Sequence, residues 1–316
     1  MRLLISFLSL LLLLTSNVVA AAPQALLNSH ELVALLDSGS VQPIDIRSPE
    51  AYAAGHLPQA ISAPYAQWRG PAHNPGELPD TEALQAFVRQ LGLTPEQHLL
   101  VYSSGADETD FGAAARVYWT LKYLGFTRLS VLNGGYKYWS QQASRPVDNS
   151  AHQLPSSHTN IQVQPHLAVF KDELISKIEG NETGYQLLDA RPALFFQGRM
   201  KAPTASTPGT IAGAENLPFQ QWFVEGETLV LPASDIKALV AEQGLDQAQE
   251  TLSFCNTGHW AATNWFVLSE LAELDNVRLY PASLAEWTQS EEALPMENTP
   301  SRAEQIRSQF KQLLKK

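Results

Sequence analysis

The chain has 316 residues, room for two domains of ordinary size, and its 44% hydrophobic and 17% charged residues describe a folded protein with a core rather than a disordered one. Thirty-two acidic residues against 21 Lys and Arg leave a net charge of −11, which disfavours nucleic acid and anionic membrane as partners, because both require clustered cations. One cysteine, Cys255, excludes any internal disulfide.

At the amino terminus, Arg2 precedes an apolar run from Leu3 to Leu14 and a small-residue end, Val18-Val19-Ala20-Ala21. This pattern predicts a secretory signal over residues 1–21, with an uncleaved anchor as the competing reading. The apolar run is too short to span a bilayer, so no stable membrane insertion is expected. The expected destination is outside the cytoplasm, the periplasm if the source is Gram-negative. Without Arg2 the mature chain carries about −12. An exported protein normally pairs its cysteines, so a lone thiol there is either buried and inert or employed.

A strand pattern from Val41 to Ile46 then leads into Asp45-Ile46-Arg47-Ser48-Pro49-Glu50, with Gly55-His56-Leu57-Pro58-Gln59-Ala60 shortly after. A second strand, Leu99-Leu100-Val101-Tyr102, is followed by a small-residue loop and an amphipathic helix from Ala113 to Leu124. The first half closes on a strand, a turn and a tryptophan, Val131 to Trp139. From Ser140 to Pro165 the chain is polar, with prolines at 146, 155 and 165, and residues 143–165 read as an interdomain linker. The same series returns beyond it. Tyr185 to Leu188 leads into Asp189-Ala190-Arg191-Pro192, Gly209-Thr210-Ile211-Ala212-Gly213-Ala214 follows, then Thr251-Leu252-Ser253-Phe254, a helix from Ala261 to Leu274, and Val277 to Trp287.

Spacing supports the duplication. Ala113 to Trp139 and Ala261 to Trp287 both span 26 positions, whereas Ser103 to Ala113 spans 10 and Cys255 to Ala261 only 6. The halves are therefore in register apart from four extra residues, which read as a longer loop in the first half. Strands alternating with helices predict an α/β fold: two domains, 26–142 and 166–292, each a mainly parallel sheet with helices on both faces. Residues 293–316 read as a helical tail, in which Ile306, Phe310, Leu313 and Leu314 share one face. Docking on the acidic body is its expected role, with a membrane-surface helix as the alternative.

The segment Phe254-Cys255-Asn256-Thr257-Gly258-His259-Trp260-Ala261 carries the chemistry. In open parallel sheets the working site lies at the carboxyl ends of strands, and Cys255 sits there, between a strand and a helix. A compact loop over Cys255 to Trp260 can curl its N–H groups around the sulfur, and the following helix adds its positive end. Both favour thiolate over thiol, and equally the anionic terminal sulfur of a persulfide. Gly258 suits a tight turn with positive φ. The alternative for Cys255 is a buried, inert residue at a strand end.

These motifs, together with Ala115-Arg116-Val117-Tyr118-Trp119 and Val131-Leu132-Asn133-Gly134-Gly135, resemble the tandem-domain rhodanese family of thiosulfate and mercaptopyruvate sulfurtransferases, from about Asn28 to about Trp287. The resemblance implies that only the second domain is catalytic, with Cys255 as the sulfur carrier and Ser103 in its place in an inactive first domain. It also implies a small sulfur-donor anion and a cyanide or thiol acceptor as partners, and no cofactor. The expected substrate-binding residues are Asn256, Thr257, Gly258, His259, Trp260, Arg191 and Arg199.

Three departures from the family pattern bear on the donor. His259 and Trp260 stand where cationic or hydroxyl groups are usual, and Phe195 stands where an arginine commonly holds the substrate anion, leaving Arg199 as the nearby substitute. The turn Pro281-Ala282-Ser283-Leu284 also differs. His259 is read as a group that holds the donor anion when protonated or bonds the acceptor, against a solvent-facing loop histidine. Trp260 reads as a packing or wall residue. The pair Asp189 and Arg191, echoed by Asp45 and Arg47, reads mainly as scaffold. The histidines do not form a zinc pattern, so no metal is expected, and Ala261 stands where phosphatase-type relatives need an arginine. A sulfur relay acting with a protein partner is the alternative to an enzyme.

Overall fold

The computed structural model of the protein describes residues 23–142 and 144–301. In the first half, strands β1 (Leu26–Leu27), β2 (Gln42–Asp45), β3 (Ile61–Ser62), β4 (Leu99–Tyr102) and β5 (Leu129–Leu132) form one parallel sheet in the order β1-β5-β4-β2-β3. The helices between them are α1 (Ser29–Asp37), α2 (Pro49–Ala54), α3 (Thr81–Gln90), α4 (Glu108–Tyr123) and α5 (Gly135–Ser140). Local chemistry sets several starts. Asn28 and Glu31 form a capping box on α1, and Ser48 caps α2 with Pro49 in its first turn. Alternate residues of β4 enter different apolar clusters, Leu99 and Val101 on one face, Leu100 and Tyr102 on the other. Both faces of the sheet are therefore covered, as a buried parallel strand requires.

The second half repeats the scheme with α6 (Lys171–Glu179), β6 (Tyr185–Asp189), α7 (Ala193–Phe196), β7 (Thr210–Ile211), β8 (Ala214–Asn216), α8 (Ala233–Glu242), β9 (Glu250–Phe254), α9 (Trp260–Phe266), β10 (Val277–Leu279), α10 (Ser283–Thr288) and β11 (Met296–Glu297). Its parallel sheet runs β10-β9-β6-β8. Ala168 bridges to Leu279 as Leu26 pairs with Val131, so each sheet begins in the same way. The two-domain α/β architecture expected from the repeat is the one observed.

Three expectations change in detail. The four extra residues of the first half do not lengthen its loop. Helix α4 starts at Glu108, five positions after Ser103, and α9 starts at Trp260, five positions after Cys255. The surplus is one additional helical turn, initiated by Asp107, whose side chain accepts from the Asp110 amide. The second helix, expected to run to Leu274, passes at Val267 into a π-helical turn that ends at Leu271. Beyond Glu292 the described chain is not helical. Met296–Glu297 pairs antiparallel with β7, and Pro295 and Pro300 oppose helix there. The signal at 1–21 and the apolar face of Ile306, Phe310, Leu313 and Leu314 lie outside the described residues.

The linker is a strap on the first domain. Thr159 donates to the Leu93 carbonyl, the Thr159 carbonyl accepts from Gln85 and Arg89, and the Gln162 and Gln164 amides donate to Leu124 and Tyr123. It delivers the chain to a broad interface in which the corresponding helices α4 and α9 pack on each other. Phe266, fully buried on α9, meets Phe111 and Tyr118 of α4 edge-on, at 5.6 and 5.0 Å between ring centroids. At the rim, Glu270 accepts from the Tyr118 hydroxyl at 2.7 Å and pairs with Lys122 at 2.6 Å. One apolar cluster therefore spans both domains. Phe266→Ala should cost about 3–5 kcal/mol, as for a large core truncation. Urea unfolding measures it, and a loss below about 1 kcal/mol would contradict the shared core.

Candidate active site at the cysteine loop

Strand β9 lies between β6 and β10, and the chain leaves its carboxyl end directly into Cys255. The loop from Cys255 to His259 must reverse into α9 within five residues. Every one of its carbonyls is bound from outside. Those of Cys255 and Asn256 accept from the Leu284 and Ala285 amides at 3.2 and 2.9 Å, and that of His259 from Ala262 at 3.2 Å. The Thr257 carbonyl accepts from Arg69 Nη2 at 2.7 Å and the Gly258 carbonyl from Arg116 Nη1 at 3.3 Å. In a trans peptide the N–H points opposite its C=O, so outward carbonyls turn the amides of residues 256–260 the other way. The anion-binding curl expected from the sequence needs such amides free of protein acceptors, and all but one of them are. The Gly258 amide is taken by Ser283 Oγ at 3.1 Å, which leaves the amides of Asn256, Thr257, His259 and Trp260 without a protein acceptor among the described residues.

Ser283 fastens the loop from within its own domain. Its hydroxyl accepts from the Cys255 and Gly258 amides, both at 3.1 Å, and donates to the Tyr280 carbonyl at 2.8 Å. It does so from a left-handed conformation, φ 54°, at the position matched in the first half by Gly135, φ 60°. Sequence reasoning did not single it out as a site residue. The available signal was its place four residues before Trp287, as Gly135 stands before Trp139.

The first domain supplies the other half of the site, also missed. Arg116 of α4 is fully buried; its Nη1 donates to Gly258 and Pro281 and its Nη2 to Gly76. A Cβ on Gly258 would collide with Arg116 Nη1 and the Pro281 carbonyl, and φ 66° itself favours glycine. Burial, then the neighbouring Arg69 charge, lowers the Arg116 guanidinium to about 9, so it remains a cation at neutral pH. Tyr65, whose ionisation burial opposes, donates its hydroxyl to His259 Nδ1 at 3.0 Å.

His259 is neither of the things expected from sequence. Its Nε2–H donates to the Thr109 carbonyl at 2.6 Å and its ring lies against Gly112, where no Cβ fits easily. Burial and the Arg69 charge push it down to about 4. It is a half-buried, neutral interdomain anchor rather than a protonated anion holder, with both ring nitrogens bound within the protein.

Cys255 itself is 1% exposed and belongs to the buried apolar cluster shared by the two domains, so the accessible thiol expected from sequence is instead a buried one. Arg191 is the scaffold foreseen for it: it chelates Asp189 with contacts of 2.6–3.1 Å, reaches the Gly209 carbonyl, and touches Asn256 Oδ1 at 3.4 Å. Arg47 repeats the chelation on Asp45 and the bond to the matching Gly55 carbonyl. Trp260 stacks on Phe219 at 5.1 Å and meets Phe195 edge-on at 5.8 Å, forming an aromatic wall. Arg199 is exposed and makes no side-chain hydrogen bond or ion pair among the described residues. In the first half, the loop after Ser103 is filled by its own carboxylate, Asp110, which accepts from the Ser104 hydroxyl and the Gly105 amide.

Two such sheets, one with a lone thiol at the end of its central strand and the other with a serine there, define a tandem α/β fold, and residues 28–142 and 170–290 each match the Rhodanese-like domain family. The chain belongs to that family. It is 30% identical over 268 residues to the 3-mercaptopyruvate sulfurtransferase of Escherichia coli K12, an alignment covering 80% of this chain and 90% of that protein. It is 29% identical to a putative thiosulfate sulfurtransferase of Synechococcus elongatus, over 84% of this chain and 83% of that one. Its fold superimposes on Tum1 protein from Saccharomyces cerevisiae with a TM-score of 0.73 at 21% identity, covering 88% and 99% of the two chains. No metal-binding cluster of His, Cys, Asp or Glu occurs among the described residues.

The His259 environment predicts a pH dependence. Folding lowers its proton affinity from 6.5 to about 4, so the unfolded chain binds more protons between those values and stability rises with pH. The contribution is complete above about 6.5 and lost on acidification toward 4. His98, also held near 4 by burial and then Arg128, adds a term of the same sign. The urea midpoint should fall between pH 7 and pH 5, and fall less in His259→Gln. An equal fall in both proteins would contradict the neutral anchor.

Proposed function

We propose that the protein is a sulfurtransferase that carries sulfane sulfur as a persulfide on Cys255, with thiosulfate as donor and cyanide or a cellular thiol as acceptor. The observation that carries this reading is the loop itself, whose carbonyls are all bound outward while four amides are left without a protein acceptor around the only thiol. The Cys255 thiolate attacks the outer sulfur of thiosulfate. The S–S bond of the donor breaks, sulfite leaves with the electron pair, and the enzyme holds a persulfide anion. Cyanide then attacks the terminal sulfur, thiocyanate leaves, and the thiolate returns. With mercaptopyruvate the leaving group would be pyruvate after proton transfer to carbon.

Several features of this chain bear on the donor. The Phe195, Trp260 and Phe219 wall gives no cation at the position where the family commonly has one, and the exposed Arg199 makes no side-chain hydrogen bond among the described residues. Asn256 and Thr257 line the loop with polar side chains, and Trp260 brings an indole N–H that is buried without a partner. The depth of Cys255 favours a slender donor over a relay in which a partner protein presents its own thiol. The segment 1–21 is the basis for proposing an exported, periplasmic protein.

Intact mass spectrometry after incubation with thiosulfate tests the reading. The wild type should gain one sulfur atom and lose it to cyanide, and Cys255→Ala should gain none while unfolding near the wild-type temperature. Loading of the alanine variant, or no loading of the wild type by thiosulfate or mercaptopyruvate, would overturn it.

A further inference from the structure

Arg116 is a full charge enclosed in protein without a carboxylate partner: it makes no ion pair among the described residues, and its Nε is buried with no hydrogen-bond acceptor. A buried charge left in that state is strongly destabilising. The cost is increased by Arg69, a second cation that approaches the same loop, has its own buried Nη1 without a partner, and likewise makes no ion pair among the described residues. Two cations thus converge from the first domain on a segment of the second that contains no acidic side chain. The ionisable groups facing Arg116 are Arg69, Tyr65, Cys255 and His259, the last a neutral imidazole. Tyr65 is held as a neutral phenol, which leaves the sulfur as the one group able to become the missing anion.

The backbone gives an independent reason for both arginines to be where they are. Arg69 holds the Thr257 carbonyl, and the N–H of the same peptide, that of Gly258, points the opposite way and meets Ser283 Oγ at 3.1 Å. Arg116 holds the next carbonyl, Gly258, so the N–H of His259 is likewise turned away from the arginine, and it has no protein acceptor. Neither Gly76 nor Gly258 has room for a Cβ against Pro281 and the loop, so both glycines permit the approach.

We infer that Arg116, assisted by Arg69, is a positioning residue lent by the thiol-free first domain: through the Gly258 carbonyl it leaves the His259 amide free for an anion, Arg69 fixes the Thr257–Gly258 peptide against Ser283, and the pair supplies the counter-charge of the sulfur anion. This rests on the reading of Cys255 as a sulfur carrier. It gives the first domain a task in a reaction whose covalent chemistry takes place wholly in the second, and it places a cationic site inside an acidic protein.

The test uses the full chain as wild type, Arg116→Met, Arg116→Lys and Arg69→Met, each checked for folding by circular dichroism. The alkylation rate of Cys255 is followed against pH, and sulfur loading from thiosulfate is followed by mass. In Arg116→Met the alkylation profile should move to higher pH by about one unit or more. Loading should slow by roughly a hundredfold, the scale for loss of an oriented anion-stabilising group. Arg116→Lys should fall between, since it keeps the charge but not the forked donors. A folded Arg116→Met with wild-type profile and loading overturns the inference. If that variant does not fold, Arg116→Lys and Arg69→Met decide: upward shifts in both uphold it and unchanged profiles in both overturn it. Alkylation needs no sulfur transfer, so a wild type that never loads sulfur defeats the proposed function and still leaves the profiles to judge Arg116.

Discussion

A short loop that turns its amides inward must turn its carbonyls outward, and those carbonyls need donors that the loop cannot provide. In this protein the donors come from three places. The amides at the start of α10 take the first two carbonyls, the first turn of α9 takes the last, and arginines of the other domain take the middle two. The middle pair cannot be satisfied from within the second domain as it is built. The packing of α4 on α9 is therefore part of the site rather than a neighbouring feature, and the strap from residue 144 to Pro165 and the Glu270 contacts all serve to hold that packing.

The duplication shows how one half came to support the other. Both loops leave the central strand identically, with Leu284 and Ala285 binding Cys255 and Asn256 as Tyr136 and Lys137 bind Ser103 and Ser104. Both keep the aspartate–arginine chelate that closes the strand end. They diverge at the anion position. The first loop closes on the Asp110 carboxylate, which occupies amide and hydroxyl donors that could otherwise hold a substrate. The second loop has no carboxylate, and four of its amides keep no protein acceptor among the described residues.

The fold was largely legible in the sequence because it rests on local signals: apolar strands, caps, turn glycines, and a repeat whose spacing can be counted. The position of Cys255 at a strand end was legible for the same reason, as was the scaffold role of Arg191, which its echo at Arg47 exposed. The partners of the loop were not. Arg116 and Gly258 are 142 positions apart, and nothing near either residue marks the contact. His259 illustrates the limit. A histidine in a loop suggests a titrating group, and only the docking of Thr109 and Gly112 shows that its ring is engaged by the other domain and held neutral. The extra turn of α4 was misread as loop because spacing counts residues without saying what they form; Asp107 in capping position was the local clue.

The central physical claim is that a sulfur anion at Cys255 is held by inward amides. Sulfur anomalous scattering from crystals soaked in thiosulfate measures this most directly. A second sulfur bonded to Cys255 Sγ, with the amides of Thr257 and His259 within hydrogen-bonding distance, is the expected result. Crystals that take up donor yet show an unmodified thiol, or a bound sulfur facing Phe254 and away from the loop, would contradict it.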